Sequence, residues 1–335
     1  MAKRTPIKDL KPSQLIEGVY AVQNCQLGQT KAGKPFIKCL LQDKSGRTPG
    51  RMWNASEELF AKLPTDGFVW LEGQTQPYQG EIQIIIQQIA AVDPSPADLV
   101  ELLPCSAHDP DDMFADLSAL LYTIQNPALK TLVDAYLFDD ALMDQFKRAP
   151  AAMTLHHAYL GGLLEHTLCV TKLAEAVLPL YPQLNRDLVL AGVFLHDLGK
   201  CAELTWERGF GYSEDGHLVG HIARGLVWLN EKAQQCAQKG TTVPEPVLRV
   251  LEHIIVSHHG LLEHGALKLP ATPEAIAVSM LDNIDAKMQM SLGAAGRDEP
   301  DRNLTAGGNL TEKVWALGTR IYRPDPTTLP AAEDA

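Results

Sequence analysis

No window of about 18 uncharged apolar residues occurs in this 335-residue sequence; the most apolar stretch, Leu188 to Leu195, runs straight into His196 and Asp197. No membrane partner is therefore expected. The start, Met1-Ala-Lys-Arg-Thr-Pro, is basic but lacks the apolar stretch of an export signal. Cysteines are few and scattered, six in all (Cys25, Cys39, Cys105, Cys169, Cys201 and Cys236), with no CxxC pair, which argues against a disulfide framework and against a thiolate zinc site. A reducing, cytoplasmic compartment is the expectation.

Positive charge is also scarce: 29 Lys and Arg against 41 Asp and Glu leave a net charge of -12. Taken over the whole chain, that excludes a protein that coats nucleic acid. The deficit is uneven, however. Residues 1–90 hold 11 Lys and Arg against 8 Asp and Glu, leaving 18 against 33 for the rest, so the two halves differ in electrostatic character. A hydrophobic share of 45% with 21% charged residues fits a folded chain, and the length predicts two or more cores at roughly 100–200 residues per domain.

Residues 12–92 alternate short Val-, Ile-, Phe- and Trp-bearing runs with turn chemistry. The runs are Leu15 to Leu27, Pro35 to Leu41, Thr48 to Trp53, Gly67 to Leu71 and Glu81 to Val92; the turns are Lys31-Ala-Gly-Lys, Asp43-Lys-Ser-Gly and Tyr78-Gln-Gly. One helix-like stretch, Ala55 to Lys62, follows the third run behind Asn54 or Ser56 as the capping residue. Five strands with a helix between the third and fourth is the order of an OB-fold β-barrel. From Pro94 the pattern breaks, and after Asp109 apolar residues recur at helical spacing. The predicted organisation is a multi-domain α+β chain: a five-stranded barrel over 1–93, a linker over 94–110, an all-α region over 111–323 with its core at about 150–292, and a frayed tail over 324–335.

Ten of the 11 histidines fall between His156 and His264. Imidazole is the commonest metal ligand, so their concentration in one helical region predicts a metal site. His166 sits in a predicted helix beginning near Gly161. His196 and Asp197 end a stretch that is apolar nearly all round; burying both without partners costs several kcal/mol, and a cation supplies the partner. Gly199 is expected to end that helix and let Lys200 turn toward the same space.

His166, the doublet His196-Asp197 and a downstream Asp282, at spacings of 30 and 85 residues, resemble the H…HD…D signature of the HD superfamily of metal-dependent phosphohydrolases. The resemblance places Asp282 as the last ligand and Asp285, one helical turn later, behind the ligands. Extra histidines at His221 and His258 are similar to those of HD proteins that hold two metals. The implied ligands are His166, His196, Asp197 and Asp282 for one ion, and Asp197, His221 and His258 for the other. His259 stands at the edge of the shell, and His217 is a rival ligand ranked behind His221. Such mixed ligands suit Mn²⁺, with Fe²⁺, Co²⁺ or Zn²⁺ as alternatives, better than an all-oxygen Mg²⁺ cage. Asp197 and His196 are then catalytic, and Lys200 neutralises a phosphate oxygen.

A barrel ahead of an HD domain, with the runs Gly-His-Ile, Ser-His-His-Gly and Asp-Asn-Ile-Asp-Ala-Lys, resembles the YhaM family of 3′→5′ exoribonucleases. That resemblance implies single-stranded RNA as substrate, with single-stranded DNA as a second one, and nucleoside 5′-monophosphates as products. The expected substrate contacts are His157 and Lys200 near the metals, and Phe36, Trp53, Lys34, Lys38 and Arg51 on the barrel, where aromatics stack bases and cations track phosphates. The alternative is an HD phosphohydrolase of free nucleotides or cyclic dinucleotides, its barrel serving assembly or regulation. A homo-oligomer is expected, the mildly basic barrel of one copy facing the acidic helical half of another.

Overall fold

A computed structural model describes residues 4–30, 33–78, 81–153, 156–206, 209–296, 309–311, 313–324 and 327. The turn residues Lys31-Ala32 and Gln79-Gly80, and most of the tail expected over 324–335, lie outside them.

The N-terminal half is a closed barrel of β1 (Leu15–Gln29), β2 (Pro35–Asp43), β3 (Gly46–Trp53), β4 (Gly67–Tyr78) and β5 (Glu81–Ala91), in the order β1-β2-β3-β5-β4. β1 is long enough to serve two neighbours. Leu15 to Val22 pair with β4 and Ala21 to Gln29 with β2, the register slipping between Gln23 and Gln26, where Asn24 takes a positive φ of 52°. A bulge of this kind bends a strand and lets a sheet curl. The parallel contact of β3 with β5 completes closure. Tyr20, Ile37, Leu41, Val69, Leu71 and Ile84 fill the interior without exposure. The one-turn helix α1 (Glu57–Phe60) lies between β3 and β4, capped by the Ser56 hydroxyl, which accepts from Leu59 N–H at 3.1 Å.

Residues 94–110, expected as a plain linker, hold a helix, α2 (Pro96–Leu102). Pro96 starts it rather than breaking it, since a first-turn residue has no N–H partner to lose. Ser95 and Asp98 close a capping box. Leu102 and Leu103 are buried between Ala21 and Phe68 of the barrel and Leu160 and Phe210 of the helical half. The chain then runs beside the loop preceding the next long helices: Leu160 N–H donates to Pro104 O and Ser106 N–H to Leu160 O, each at 2.9 Å.

The rest is helical: α3 (Pro110–Leu121), α4 (Pro127–Leu137), α5 (Asp140–Phe146), α6 (Gly162–Val177), α7 (Arg186–Leu195) and the short α8 (Lys200–Glu203). There follow α9 (Glu214–Leu218), α10 (His221–Gln238), α11 (Glu245–Ser257) and α12 (Pro273–Ala295). A ladder of two-residue strands, β6 (Leu204–Thr205) and β7 (Gly211–Tyr212), interrupts the all-α pattern. α7 is the central element. Val189 to Leu195 are all buried, and α6, α11 and α12 pack around it. Among the described residues no helix is long and apolar enough to cross a membrane.

Candidate metal centre

The histidines and aspartates gather where the ends of α7 and α11 meet the middles of α6 and α12. His196 and His258 each follow the last residue of a helix, where backbone carbonyls lack N–H partners. Each ring uses one of them: His196 Nδ1 donates to Val193 O at 2.6 Å and His258 Nδ1 to Ile255 O at 2.8 Å. A carbonyl can only accept, so each Nδ1 carries the proton and each Nε2 is left to face inward. Carboxylates orient the other two rings in the same sense. His166 Nδ1 donates to Asp285 Oδ2 at 2.7 Å, and His221 Nδ1 to Glu203 Oε2 at 2.9 Å. Four imidazoles from four helical segments thus present Nε2 to one space. Fixing the far nitrogen is the usual way to prepare a histidine for a cation.

The two oxygens of Asp197 divide that space. Oδ2 lies 3.3 Å from His196 Nε2 and 3.7 Å from His166 Nε2, and Asp282 Oδ1 stands 3.3 Å from His166 Nε2. Oδ1 lies 3.4 Å from His258 Nε2 and 3.7 Å from His221 Nε2. Asp197, with His258, is almost wholly buried, and Asp197 Oδ1, His221 Nε2 and His258 Nε2 have no hydrogen-bond partner. Three buried lone-pair donors facing one another without a proton to share are costly unless a cation joins them. The donor set therefore fits a divalent metal. The grouping Asp197, His221, His258 and His259 and the grouping His166, His196 and Asp197 each bring their ligand atoms within 4.8 Å of one another.

Lys200 enters from the start of α8 and places Nζ 2.7 Å from Asp197 Oδ2, with both side chains buried. Burial opposes its charge, but Asp197 outweighs this and raises its pKa. Burial also opposes the charge on Asp197, yet Lys200 and the imidazoles hold its carboxyl well below the usual range. Gly199 is needed for a reason other than ending a helix: a Cβ there would sit 2.0 Å from the His221 carbonyl oxygen, so glycine lets the start of α10 approach α8.

Of the remaining residues named from sequence, His259 lies beside the cluster, its ring 4.2 Å from that of His258 and its Nδ1 without a partner. Burial, then the neighbouring His258, pushes its pKa down to about 3, which keeps the ring neutral. His217 is apart: it is exposed on α9, its ring 5.5 Å from that of Tyr212 and tilted against it, and it lies outside both ligand groupings. Asp285 is buried behind His166 and also accepts from His157 Nε2 at 2.8 Å. His157 Nδ1 pairs with Tyr159 Oη at 2.7 Å, so both its nitrogens are engaged, and the residue is only 3% exposed. It buttresses Asp285, and no ring nitrogen is left for the substrate contact expected of it. The residue before it takes the open position: His156 faces His166 at 5.7 Å with an unpartnered Nδ1, held neutral by burial at a pKa of about 4. His156 and Glu203 were not singled out from sequence. The doublet at 156–157 was the available signal for the first; nothing marked Glu203 as the carboxylate behind His221.

Without a cation, a proton occupies part of the space. Burial alone would lower the pKa of His166, but hydrogen bonds to Asp282 and Asp285 raise it to about 9. A cation at His166 Nε2 must displace that proton. Loading the metal-free protein with Mn²⁺ at pH 7.5 should release about one proton per chain, and affinity should rise with pH up to about 9. Calorimetry in buffers of differing ionisation enthalpy measures it, and binding without proton release would remove His166 from the ligands.

On the barrel, Phe36 and Trp53 pair across β2 and β3 with rings 5.2 Å apart, and Lys38 pairs with Arg51 two residues along on the same outer face. The Arg51 guanidinium lies over both Trp53, at 5.9 Å, and Tyr78, at 5.4 Å. Trp53 and Tyr78 are 42% and 47% exposed, Lys34 and Lys38 are exposed, and none of the four is part of the barrel core.

Residues 163–287 match the family model of the HD domain, a span that takes in His166, His196, Asp197, His221, His258, Asp282 and Asp285. Among solved structures, the chain is similar to the second OB-fold domain of replication protein A from Methanococcus maripaludis, at 20% identity over 27% of this chain and 96% of that one, with a TM-score of 0.21. The strand order and the match together describe a chain with an OB-type five-stranded barrel at its N-terminus and, in its helical half, an HD domain of the metal-dependent phosphohydrolases.

Proposed function

We propose that this protein is a 3′→5′ exonuclease that shortens single-stranded RNA, and single-stranded DNA as a second substrate, releasing nucleoside 5′-monophosphates in the manner of the YhaM family. The observation that carries the reading is the aromatic and basic outer face of the barrel, Phe36, Trp53, Tyr78, Lys38 and Arg51, joined to a phosphohydrolase centre. Free nucleotides need no such face; a strand does, because bases stack on exposed rings and phosphates follow cations.

His166, His196, Asp197 and Asp282 would hold one divalent ion, and Asp197, His221 and His258 the other, with Mn²⁺ favoured by the mixed imidazole and carboxylate donors. Two such ions supply an acidified water and charge neutralisation at the phosphate. The protein's own groups set the rest. Val193, Ile255, Glu203 and Asp285 keep the four rings aimed inward, Lys200 lies ready to neutralise a non-bridging phosphate oxygen, and the neutral His156 offers a nitrogen at the rim. The water oxygen ends on phosphorus, the bond from phosphorus to the 3′-oxygen breaks, and that oxygen takes the proton. Cys25, Cys39, Cys169, Cys201 and Cys236 are free thiols, which fits work in the cytoplasm.

With Mn²⁺, 5′-labelled single-stranded RNA should give a ladder of shortening fragments, and 3′-labelled RNA should give mononucleotides. Trp53→Ala should raise KM about 5- to 150-fold, taking roughly 1–3 kcal/mol per stacked base, and leave hydrolysis of a small phosphodiester unchanged. Intact RNA beside rapid phosphate release from mononucleotides would replace this reading with the free-nucleotide alternative.

A further inference from the structure

The helix that carries Asp282 and Asp285 on its inner face is apolar on its outer one. Ile276, Met280, Ile284, Met288 and Leu292 of α12 are 48%, 58%, 46%, 52% and 39% exposed. They recur every fourth residue, and since each step turns about 40° round the helix they form one winding ridge, with Met280 and Met288 within about 40° of Ile284, and Ile276 and Leu292 about 80° to either side. Between Ile276 and Leu292 the only other exposed side chains are Asn283 and Lys287. No described residue covers the ridge. A lone aliphatic residue on a surface is ordinary, but five in one row mark a contact surface.

We infer that this ridge is the two-fold interface of a homodimer, α12 of one copy crossing α12 of a second in antiparallel sense with Ile284 on the axis. The row reads alike from either end: Ile276 corresponds to Leu292, Met280 to Met288, and Ile284 to itself. A two-fold axis requires a patch to be complementary to itself, and a row of equal spacing and matched side-chain size meets that requirement. Charge points the same way. The helical half is strongly acidic, yet the ridge holds one cation and no exposed anion, so copies that repel elsewhere meet here without like acidic charges in contact. The helix dipoles oppose, which also favours the antiparallel arrangement. Each half-exposed aliphatic side chain offers roughly 100 Å², so Met280, Ile284 and Met288 give on the order of 600 Å² over two copies, and Asn283, Lys287 and the near edges of Ile276 and Leu292 carry the contact toward the roughly 1,000 Å² of a small, concentration-dependent interface. The contact differs from the barrel-to-helix packing that the uneven charge suggests, because it uses neither the barrel nor an acidic face. It also leaves the metal centre whole within each copy, since Asp282 and Asp285 point the other way.

Sedimentation velocity on the full chain, from 1 to 100 μM, tests the inference. The wild type should sediment as a dimer and Ile284→Glu as a monomer with unchanged circular dichroism and metal content. In a Cys105→Ser background, Ile284→Cys should give a disulfide-linked dimer on mild oxidation, because the axis brings the two introduced thiols together. A monomeric wild type over this range overturns the inference and leaves the ridge to a different protein. A dimer that survives Ile284→Glu, with no cross-link from Ile284→Cys, overturns it equally, by placing the contact elsewhere.

Discussion

Asp197→Ala should leave the protein with neither bound ion and lower phosphodiester hydrolysis by about 10³-fold or more, the cost found for removing a single electrostatic stabiliser being already 10²–10³. Among the described residues no other side chain has an oxygen turned toward each set of imidazoles. The variant should also lose stability. Removing one partner of a buried ion pair costs about 3–5 kcal/mol, and Lys200 would be stranded in the interior. Adding Lys200→Met removes the stranded charge, so the double variant should regain most of the lost melting temperature and none of the metal. Elemental analysis with thermal unfolding gives both readouts. Two ions retained in Asp197→Ala would contradict the bridging role, and a double variant as unstable as the single one would contradict the stranded-charge account.

The second large effect is expected at Asp285. One of its oxygens accepts from both His157 Nε2 and His166 Nδ1. Burial resists its charge, but these two hydrogen bonds bring its pKa down to about 2, so it is ionised at any working pH. Asp285→Ala frees the His166 ring to turn and leaves the buried His157 without an acceptor. Affinity for the ion held by His166, His196 and Asp282 should fall about 10- to 100-fold, the usual loss for an outer carboxylate, while the ion at His221 and His258 is retained. Asp285→Asn keeps an oxygen for both donors and loses only the charge, so it should fall between the two. Competition against a chelator separates the sites. Equal weakening of both, or none, would show that Asp285 does not act through His166.

Much of this was legible in the sequence because two periodicities and one rare residue type carry it. Alternation marks the five strands, and the imidazoles cannot be buried together without a purpose. Where the reading fell short, the reasons are local. Pro94, Pro96 and Pro104 read as the breaks of a linker, yet Pro96 stands in a first turn, where the residue starts a helix. Adjacent histidines point about 100° apart on a helix and unpredictably in a loop, so spacing could not decide between His156 and His157. Glu203 acts through a ring rather than through a motif, and only the folded arrangement of α8 and α10 brings it into reach of His221. Gly199 had an ordinary explanation in the sequence, and the crowding against His221 could be seen only once two distant segments met.

The strap from Leu103 to Ser106 has a practical consequence for anyone dissecting this chain. The family match opens at residue 163, which invites a fragment beginning nearby. Such a fragment would amputate the splint of the loop before α6: Leu160 rests on Pro104 O, Gly161 N–H on Arg148 O, and Leu163 N–H on Ala149 O. His156 and His157 hang from that loop. An excised catalytic half should therefore keep about residue 94 onward, where the strap and its buried leucines remain, and a shorter piece should come out of expression poorly folded and with its His166 pocket undone.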